Sequence, residues 1–191
     1  MTRLIQYASL RPTPWKNGGG ATTELAIWPA GAGLDDFDWR ASLAAIAEDG
    51  PFSPYPGIDR SLALVAGDGL LLDFGDERIV LSPSEPLVEF AGEAAVHATV
   101  QGQHTLDFNI MTRRGRCRHR VEPLLVRGAA ELKRRSGTTL VFLADGEGLS
   151  ASSARERLAL VRYDLLVLDG ESAWTLEAAQ ATVYVVDIVN V

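Results

Sequence analysis

The sequence has little cysteine and no long apolar run, and both absences narrow the class of protein. A single cysteine, Cys117, excludes an internal disulfide and is typical of proteins from a reducing compartment. No apolar segment approaches the roughly 20 residues that a membrane-spanning helix needs. The first residues also lack the apolar stretch of a secretion signal. We therefore expect a cytoplasmic protein that does not bind a membrane.

Metal ligands and catalytic nucleophiles are scarce as well. The three histidines, His97, His104 and His119, share no spacing typical of a metal site, so we predict no bound metal and no cofactor. No Ser-His-Asp or Cys-His arrangement is indicated. Cys117 lies among arginines that would lower its thiol pKa, but a lone cysteine is more commonly inert.

Charge is unevenly distributed along the chain. The net charge is −7, yet Arg113–Arg135 holds nine basic and two acidic residues. An acidic body argues against nonspecific binding to nucleic acid, so we predict no direct nucleic-acid partner. Five arginines lie within Arg113–Arg120, without interleaved aromatic residues, and we favour a solvated linker between two β halves. A protein-interaction surface there is the weaker alternative.

Short alternating runs between Gly, Asp and Pro turns predict an all-β sandwich or barrel. SLALVAG, ERIVLS and ATVYVVDIV are examples of these runs. The run WRASLAAI is ambiguous, because its alanines suit a helix while its pattern alternates as a strand does. Residues 128–137, GAAELKRRSG, have some helical character, and we predict a short helical turn there.

Three pairs of segments repeat at a nearly constant spacing. GDGL and ERIVL, which begin at residues 67 and 77, recur 79 residues later as GEGL and ERLAL. PLVEFAGEAA at residue 86 matches DLLVLDGESA 78 residues later. Gly-acidic-Gly turns recur in many β proteins, but three matches in register favour duplication of a β unit. We therefore predict two domains, residues 1–112 and 113–191.

The segment WKNGGG, residues 15–20, leads into an alternating run. It is not a phosphate-binding loop, because its lysine precedes the glycines and the run enters a strand. Exposed amides there would form an anion-binding nest. The alternative is a wide turn in which Trp15 packs as an anchor. The run that follows places Thr23, Leu25 and Ile27 on one face.

The segment LDFNIMTRRG, residues 106–115, combines a polar and an apolar face. As a strand it places Asp107, Asn109, Met111 and Arg113 together. Because such a face is costly to bury without partners, it either faces solvent or lines a polar cavity of a barrel.

The proline-rich loop PFSPYPGIDRS brings Arg60 to the start of a strand on a stiffened backbone. Such an arginine is either a solvated charge or the bidentate partner of a ligand carboxylate.

Taken together, WKNGGGATTE, FDWRASLAAIAEDGPFSPYPGIDRSL and LDFNIMTRRG resemble the HutD/Ves family in order and spacing. The resemblance covers the first two thirds of the chain and rests on the general β pattern after Gly115. It implies a bicupin, two small jelly-roll β-barrels from one bacterial chain, with a ligand pocket in the first barrel. It also implies a role in histidine utilisation or stress response. In that role the protein would bind a small carboxylate, such as N-formylglutamate or urocanate, and limit expression of the histidine-degradation genes.

The residue pattern and the resemblance together predict a ligand-binding set with no catalytic or metal-binding member. Lys16 and Arg60 would face the acid, and Asp107 and Asn109 would contribute from the barrel wall. The full candidate set is Lys16, Asn17, Arg40, Arg60, Asp107, Asn109 and Arg113. The alternative is a metal-free cupin enzyme acting on a small carboxylic acid, with Lys16 or Asp107 as acid or base. Whether the chain forms a homodimer stays open.

Overall fold

The chain folds almost entirely into β-strands. A computed structural model describes residues 2–134, 137–169 and 173–191. The strands, in chain order, are β1 (Arg3–Ile5), β2 (Thr13–Pro14), β3 (Gly20–Trp28), β4 (Trp39–Ile46), β5 (Gly50–Pro51), β6 (Ile58–Ala66), β7 (Gly69–Asp73), β8 (Arg78–Leu81), β9 (Leu87–Ala91), β10 (His97–Gln101), β11 (Thr105–Arg113), β12 (Cys117–Lys133), β13 (Thr138–Gly146), β14 (Leu149–Ser152), β15 (Arg157–Leu160), β16 (Leu165–Asp169) and β17 (Ala173–Asn190). One 3-10 turn, Tyr7–Ser9, is the only helical element in the described ranges. The prediction of an all-β fold is confirmed. No helix in the described part of the chain is long and apolar enough to cross a membrane.

The sequence predicted a solvated linker at the arginine-rich segment, Arg113–Arg120, and this prediction is wrong. Its first residues end β11 and form a turn, and β12 then pairs with β17. The predicted helical turn at 128–137 is also wrong, because β12 continues through it to Lys133. Ala130 and Leu132 point inward at a period of two and pack on the core of that sheet. The remaining residues of the predicted turn include Arg135 and Ser136, which lie outside the described residues.

The chain divides into two compact units. One comprises residues 11–117, and the other combines residues 1–10 with 118–191. The first ten residues belong to the second unit because β1 pairs with β16 along Arg3–Ile5. The division predicted from the sequence, at residue 112, placed them in the first half instead.

Residues 11–117 form two sheets whose apolar side chains meet in one main cluster. The six-stranded sheet has the order β2-β3-β4-β11-β6-β9, and the four-stranded sheet has the order β5-β10-β7-β8. Ile46 and Leu62 from the first sheet meet Leu70, Leu72 and Leu81 from the second. Strand β11 lies between β4 and β6 and is antiparallel to both, so these three strands set the geometry of the sheet's centre.

The other unit is built on a seven-stranded sheet. Its order is β1-β16-β13-β17-β14-β15, with β12 also paired to β17. Leu166, Trp174 and Val183 are among the buried residues of its core. The buried side chain of Asp164 accepts hydrogen bonds from the N–H groups of Tyr7 and Val161 at 2.9 and 3.0 Å.

Strand pairing in the two units follows the sequence repeat. Leu70 pairs with Leu81 in β7 and β8, and 79 residues later Leu149 pairs with Leu160 in β14 and β15. The pairing of β6 with β9 has a similar counterpart in that of β13 with β16. Residues 170–172 of the third matching segment lie outside the described residues. Duplication itself stays a prediction.

The three glycines of WKNGGG form a tight turn between β2 and β3. The Trp15 N–H donates to the Gly20 carbonyl at 2.9 Å, and the Gly18 N–H donates to the Trp15 carbonyl at 3.1 Å. The Gly19 N–H donates to Oδ1 of Asn17 at 3.2 Å. These amides are therefore occupied, and the predicted anion-binding nest does not form from them.

The alternative interpretation, in which Trp15 anchors the turn, is correct. The Trp15 indole N–H donates to Oγ1 of Thr22 at 2.8 Å. A Cβ on Gly20 would lie 2.4 Å from the Ala45 carbonyl oxygen and 3.0 Å from the Trp15 ring. Glycine is required at this position because the ring and the β4 backbone approach so closely.

Gly20→Ala should therefore destabilise the protein by about 1–3 kcal/mol, because the Ala45 carbonyl or the Trp15 ring must move. Gly19→Ala in the same turn is the matched control. Its Cβ would meet its nearest atoms at 3.6 Å, an ordinary contact. Urea unfolding of both variants measures the two effects. Equal losses in both would show that the turn's flexibility, and not the close approach at Gly20, governs its stability.

Candidate functional site

A cavity of about 960 Å³ lies within residues 11–117, a volume typical of small-molecule sites. Strands β3, β4, β6 and β11 provide one wall, and segments 13–17 and 51–55 contribute further residues. The polar lining residues are Thr13, Lys16, Asn17, Thr22, Glu24, Arg40, Ser42, Ser53, Tyr55, Arg60, Asp107 and Asn109. The apolar ones are Pro14, Trp15, Leu34, Ala44, Ile46, Pro51, Phe52, Pro54, Leu62 and Met111.

Strand register arranges the central lining residues in rows across the sheet. Arg40 of β4 and Arg60 of β6 both pair with Met111 of β11, so the two guanidinium groups flank one methionine. In the next row, Ser42 and Leu62 pair with Asn109. Glu24 of β3, two strands away from β11, pairs with Ser42 and so belongs to this second row.

Arg60 is the most confined cation of the cavity. It is 5% exposed, and its guanidinium carbon lies 4.9–5.6 Å from the ring centroids of Phe52, Tyr55 and Phe90. Its Nε has no hydrogen-bond partner in the described part of the chain. Burial, aided by the charge of Arg40, lowers its pKa to about 10. The interpretation of Arg60 as a solvated charge is therefore wrong.

Arg40 is buried beside Arg60 but is held differently. Its Nε donates to Oε2 of Glu24 at 2.9 Å, and the Glu24 side chain is 44% exposed. This ion pair directs Arg40 across the sheet and offsets one positive charge. Lys16 and Arg60 add two more, against one further carboxylate, Asp107, so the cavity has an excess of positive charge that suits an anionic ligand.

Asp107 is completely buried on the same face of β11. Neither of its carboxylate oxygens has a hydrogen-bond partner among the residues described. Burial raises its pKa to about 7, and the charge of Arg60 opposes that rise. Oδ1 of Asn109, two residues along, is also buried without a partner in the described ranges. The polar face of β11 thus lines a cavity and does not face solvent.

The structure places six of the seven predicted ligand-binding residues in the cavity lining. Lys16 and Asn17 are exposed in the glycine turn, while Arg40, Arg60, Asp107 and Asn109 are buried. Arg113 lies outside the cavity. Its Nε and one terminal nitrogen donate to the carbonyls of Phe37 and Asp35 at 2.8 and 2.7 Å. It therefore secures the segment before β4.

Sequence reasoning missed Thr22, Glu24 and Ser42 as lining residues. Ser42 follows from alternation with Arg40 once β4 is read as a strand. The face predicted for β3 was only partly right, because a bulge between Glu24 and Ala26 shifts the register. Ile27 is consequently opposite Arg40 and packs with Met111, away from the face of Thr23.

The comparisons with known proteins agree with this architecture. A family model described as HutD matches residues 7–186. The chain belongs to the HutD family. It is 34% identical over 173 residues to an uncharacterised 21.2 kDa protein in the hutC 3′ region of Pseudomonas putida, covering 88% of this chain and 87% of that protein. It is 39% identical over 122 residues to protein Ves of Citrobacter koseri. That match covers 61% of this chain and 62% of Ves, less than two thirds of the relative's length.

Solved structures place the HutD-family chain in a wider fold group. A conserved protein of unknown function from Pseudomonas aeruginosa PAO1 superposes with a TM-score of 0.90 at 31% identity, over 98% of both chains. HutD from Pseudomonas fluorescens SBW25 superposes with a TM-score of 0.84 at 27% identity, over the full length of both chains. A salicylate 1,2-dioxygenase shares only the fold, with a TM-score of 0.61 and 9% identity over 97% of this chain and 81% of that chain. The fold is thus cupin-like.

The cavity of this HutD-family chain does not fit the metal that many cupins hold. No group of three or more His, Cys, Asp or Glu in the described residues is arranged to bind a metal ion. In the lining, one buried carboxylate stands near two guanidinium groups, which would repel a divalent cation.

Cys117 is buried, and its thiol donates to the Asp38 carbonyl at 2.9 Å. Burial raises the pKa of this thiol, contrary to the lowering that the sequence predicted.

Asp107→Asn should stabilise the ligand-free protein more at pH 8 than at pH 5. The folded-state pKa of Asp107 lies above its unfolded value, so its contribution is present at low pH and is lost as pH rises through about 7. Asparagine keeps the shape and has no charge to bury. The gain in free energy of unfolding at pH 8 should exceed that at pH 5 by roughly 2–3 kcal/mol.

Urea unfolding of wild type and variant at both pH values measures this difference. Asp76→Asn, at an exposed carboxylate, is the control and should show no such pH dependence. A pH-independent effect of Asp107→Asn would mean that Asp107 ionises normally in the folded protein.

Proposed function

We propose that this protein is a metabolite-binding protein of histidine utilisation. Its cavity would bind a small carboxylate, such as N-formylglutamate or urocanate, and binding would limit expression of the histidine-degradation genes. Membership of the HutD family and the hutC-region relative support the link to histidine utilisation. We further propose a bicupin that arose by duplication, which the equivalent strand pairings in the two units support.

The observation that carries this proposal is the pair of buried arginines on either side of Met111. Two guanidinium groups in one row repel each other, and only Arg40 has a carboxylate partner, Glu24. Arg60 forms no ion pair with a carboxylate in the described residues. A ligand carboxylate would supply the missing countercharge and accept from the unpartnered Nε of Arg60.

Arg60→Ala should weaken binding of N-formylglutamate by about 2–4 kcal/mol, because it removes a charged hydrogen bond to a partly buried anion. Arg60→Lys should recover only part of this loss, since an ammonium cannot form the two-pronged contact. Isothermal titration calorimetry of wild type and both variants measures the effect.

Thermal melts must accompany the titrations, because Arg60 also packs against three aromatic rings. Arg60→Met keeps most of that apolar packing without the charge and separates binding from folding. Arg114→Ala is the control at a more exposed arginine outside the cavity, paired with Asp59 and Glu93. A folded Arg60→Met that binds as wild type does would place the carboxylate elsewhere.

A metal-free enzyme acting on a small carboxylic acid is the second candidate function. The pKa of Asp107, about 7, suits a general acid or base near neutral pH. Lys16, in the cavity lining, is the other candidate. Incubating the protein with N-formylglutamate or urocanate and following product by NMR separates the two functions. Binding without turnover supports the first, and turnover that Asp107→Asn abolishes supports the second.

A further inference from the structure

We propose that Asp107 and Asn109 form a second subsite of the cavity, which binds an N–H group of the ligand. The ligand would then be a small carboxylic acid that also carries an N–H donor, with its carboxylate at Arg60. This inference rests on the proposed function and adds the chemistry of the other end of the ligand.

The two residues present acceptors that nothing in the described chain satisfies. Both oxygens of Asp107 and Oδ1 of Asn109 are buried without partners. Buried polar atoms in folded proteins are almost always hydrogen-bonded, and an ionised carboxylate can only accept. The complement of this surface is therefore a hydrogen-bond donor, and both ligands of the proposed function carry one as an N–H group.

The positions of Asp107 and Asn109 support a role in ligand binding rather than in packing of the core. Asp107 and Asn109 lie two residues apart on one face of β11, with Cα atoms separated by about 7 Å. Met111 follows at the same spacing, between Arg40 and Arg60. Acceptors and cations thus occupy successive rows of one cavity wall, and a ligand of modest length with an acid and an N–H group contacts both.

A dicarboxylate that carries no N–H group is a poorer match for this arrangement. A second carboxylate beside Asp107 would repel its ionised form and leave its oxygens without donors. The other charged or titratable residues of the cavity are Lys16 and Tyr55 on the two loops, Glu24 on β3, Arg40 on β4 and Arg60 on β6. The three cations among them can bind a ligand carboxylate. None of the five donates a hydrogen bond to Asp107.

The test compares acids that differ only in the N–H group. N-formylglutamate is paired with its formate-ester analogue, in which oxygen replaces N–H. Urocanate is paired with its oxazole analogue, in which a ring oxygen replaces the N–H while the other ring nitrogen and the carboxylate are kept. Affinities are measured by calorimetry at pH 7.5 for wild type and for Asp107→Leu, which removes the acceptors and keeps the branched shape of the side chain.

We expect wild type to bind at least one N–H acid about tenfold or more tightly than its analogue, because a site built to hydrogen-bond rejects a ligand that leaves its buried atoms unpaired. In Asp107→Leu the ratio should fall to near 1 through loss of affinity for the N–H acid. Asn109→Leu should reduce the same ratio in part. Asp107→Ala, which also removes the acceptors and adds no bulk, serves in place of Asp107→Leu if the latter does not fold.

Ligand affinity measured over a pH series is a second test. If Asp107 had only a structural role, its ionisation would not change this affinity. Because ionised Asp107 is the better acceptor and half of it is ionised near pH 7, affinity for N-formylglutamate should rise about tenfold from pH 6 to pH 8. Affinity for the ester analogue should stay level or fall. The rise should be absent in Asp107→Asn.

The outcomes separate this inference from the proposed function. If the acids bind through Arg60 but each N–H acid binds no better than its analogue, the subsite is wrong while the carboxylate-binding function stands. Equal binding is also the result expected if ordered water alone serves Asp107. If none of the four acids binds, both the function and the subsite are overturned.

Discussion

The structure of residues 11–117 depends on one constraint, the antiparallel pairing of β11 with β4 on one side and β6 on the other. Side chains alternate between the faces of a strand, so this register decides which residues meet in the cavity. A slip of one residue would exchange Asp107 and Asn109 for Phe108 and Ile110, and would bury the polar pair on an apolar face. A register bulge at Leu106–Asp107 is part of the same pairing.

Apolar clusters bound the polar wall at both ends and give it its electrostatic character. Ile46 and Leu62 belong to the main core, while Met111 packs with Phe37 and Ile58 in a separate cluster. Between them the groups are withdrawn from water. Burial disfavours the charged form of each group, and it therefore raises the pKa of Asp107 and lowers that of Arg60. Burial also leaves polar atoms of this wall without hydrogen-bond partners among the described residues. Such atoms would destabilise an ordinary core, and their presence is typical of binding sites.

The fold alone does not decide this chemistry. A cupin-like architecture recurs in proteins with about 10% identity to this chain, among them an enzyme described as a dioxygenase. What distinguishes this chain is the lining of its cavity, where arginines, a buried aspartate and an asparagine meet. Function must therefore be argued from these side chains and not from the arrangement of strands.

The sequence by itself determined the all-β class of the fold and the polar face of β11. Alternation with a period of two is a local property, so the polar face of LDFNIMTRRG and the place of Arg60 at the start of β6 were predictable. The family motifs were recognisable because they too are local stretches of sequence.

Only the tertiary structure decided features that depend on contacts between residues distant in the chain. The bulge in β3 reversed the face of Ile27, and the carbonyls of Phe37 and Asp35 drew Arg113 away from the cavity. The pairing of β1 with β16 moved the first ten residues into the other unit. Burial and the lack of partners at Asp107 follow from packing on every side, which no local pattern records. Alternation shows which side chains share a face, whereas the assembled sheets decide what each face meets.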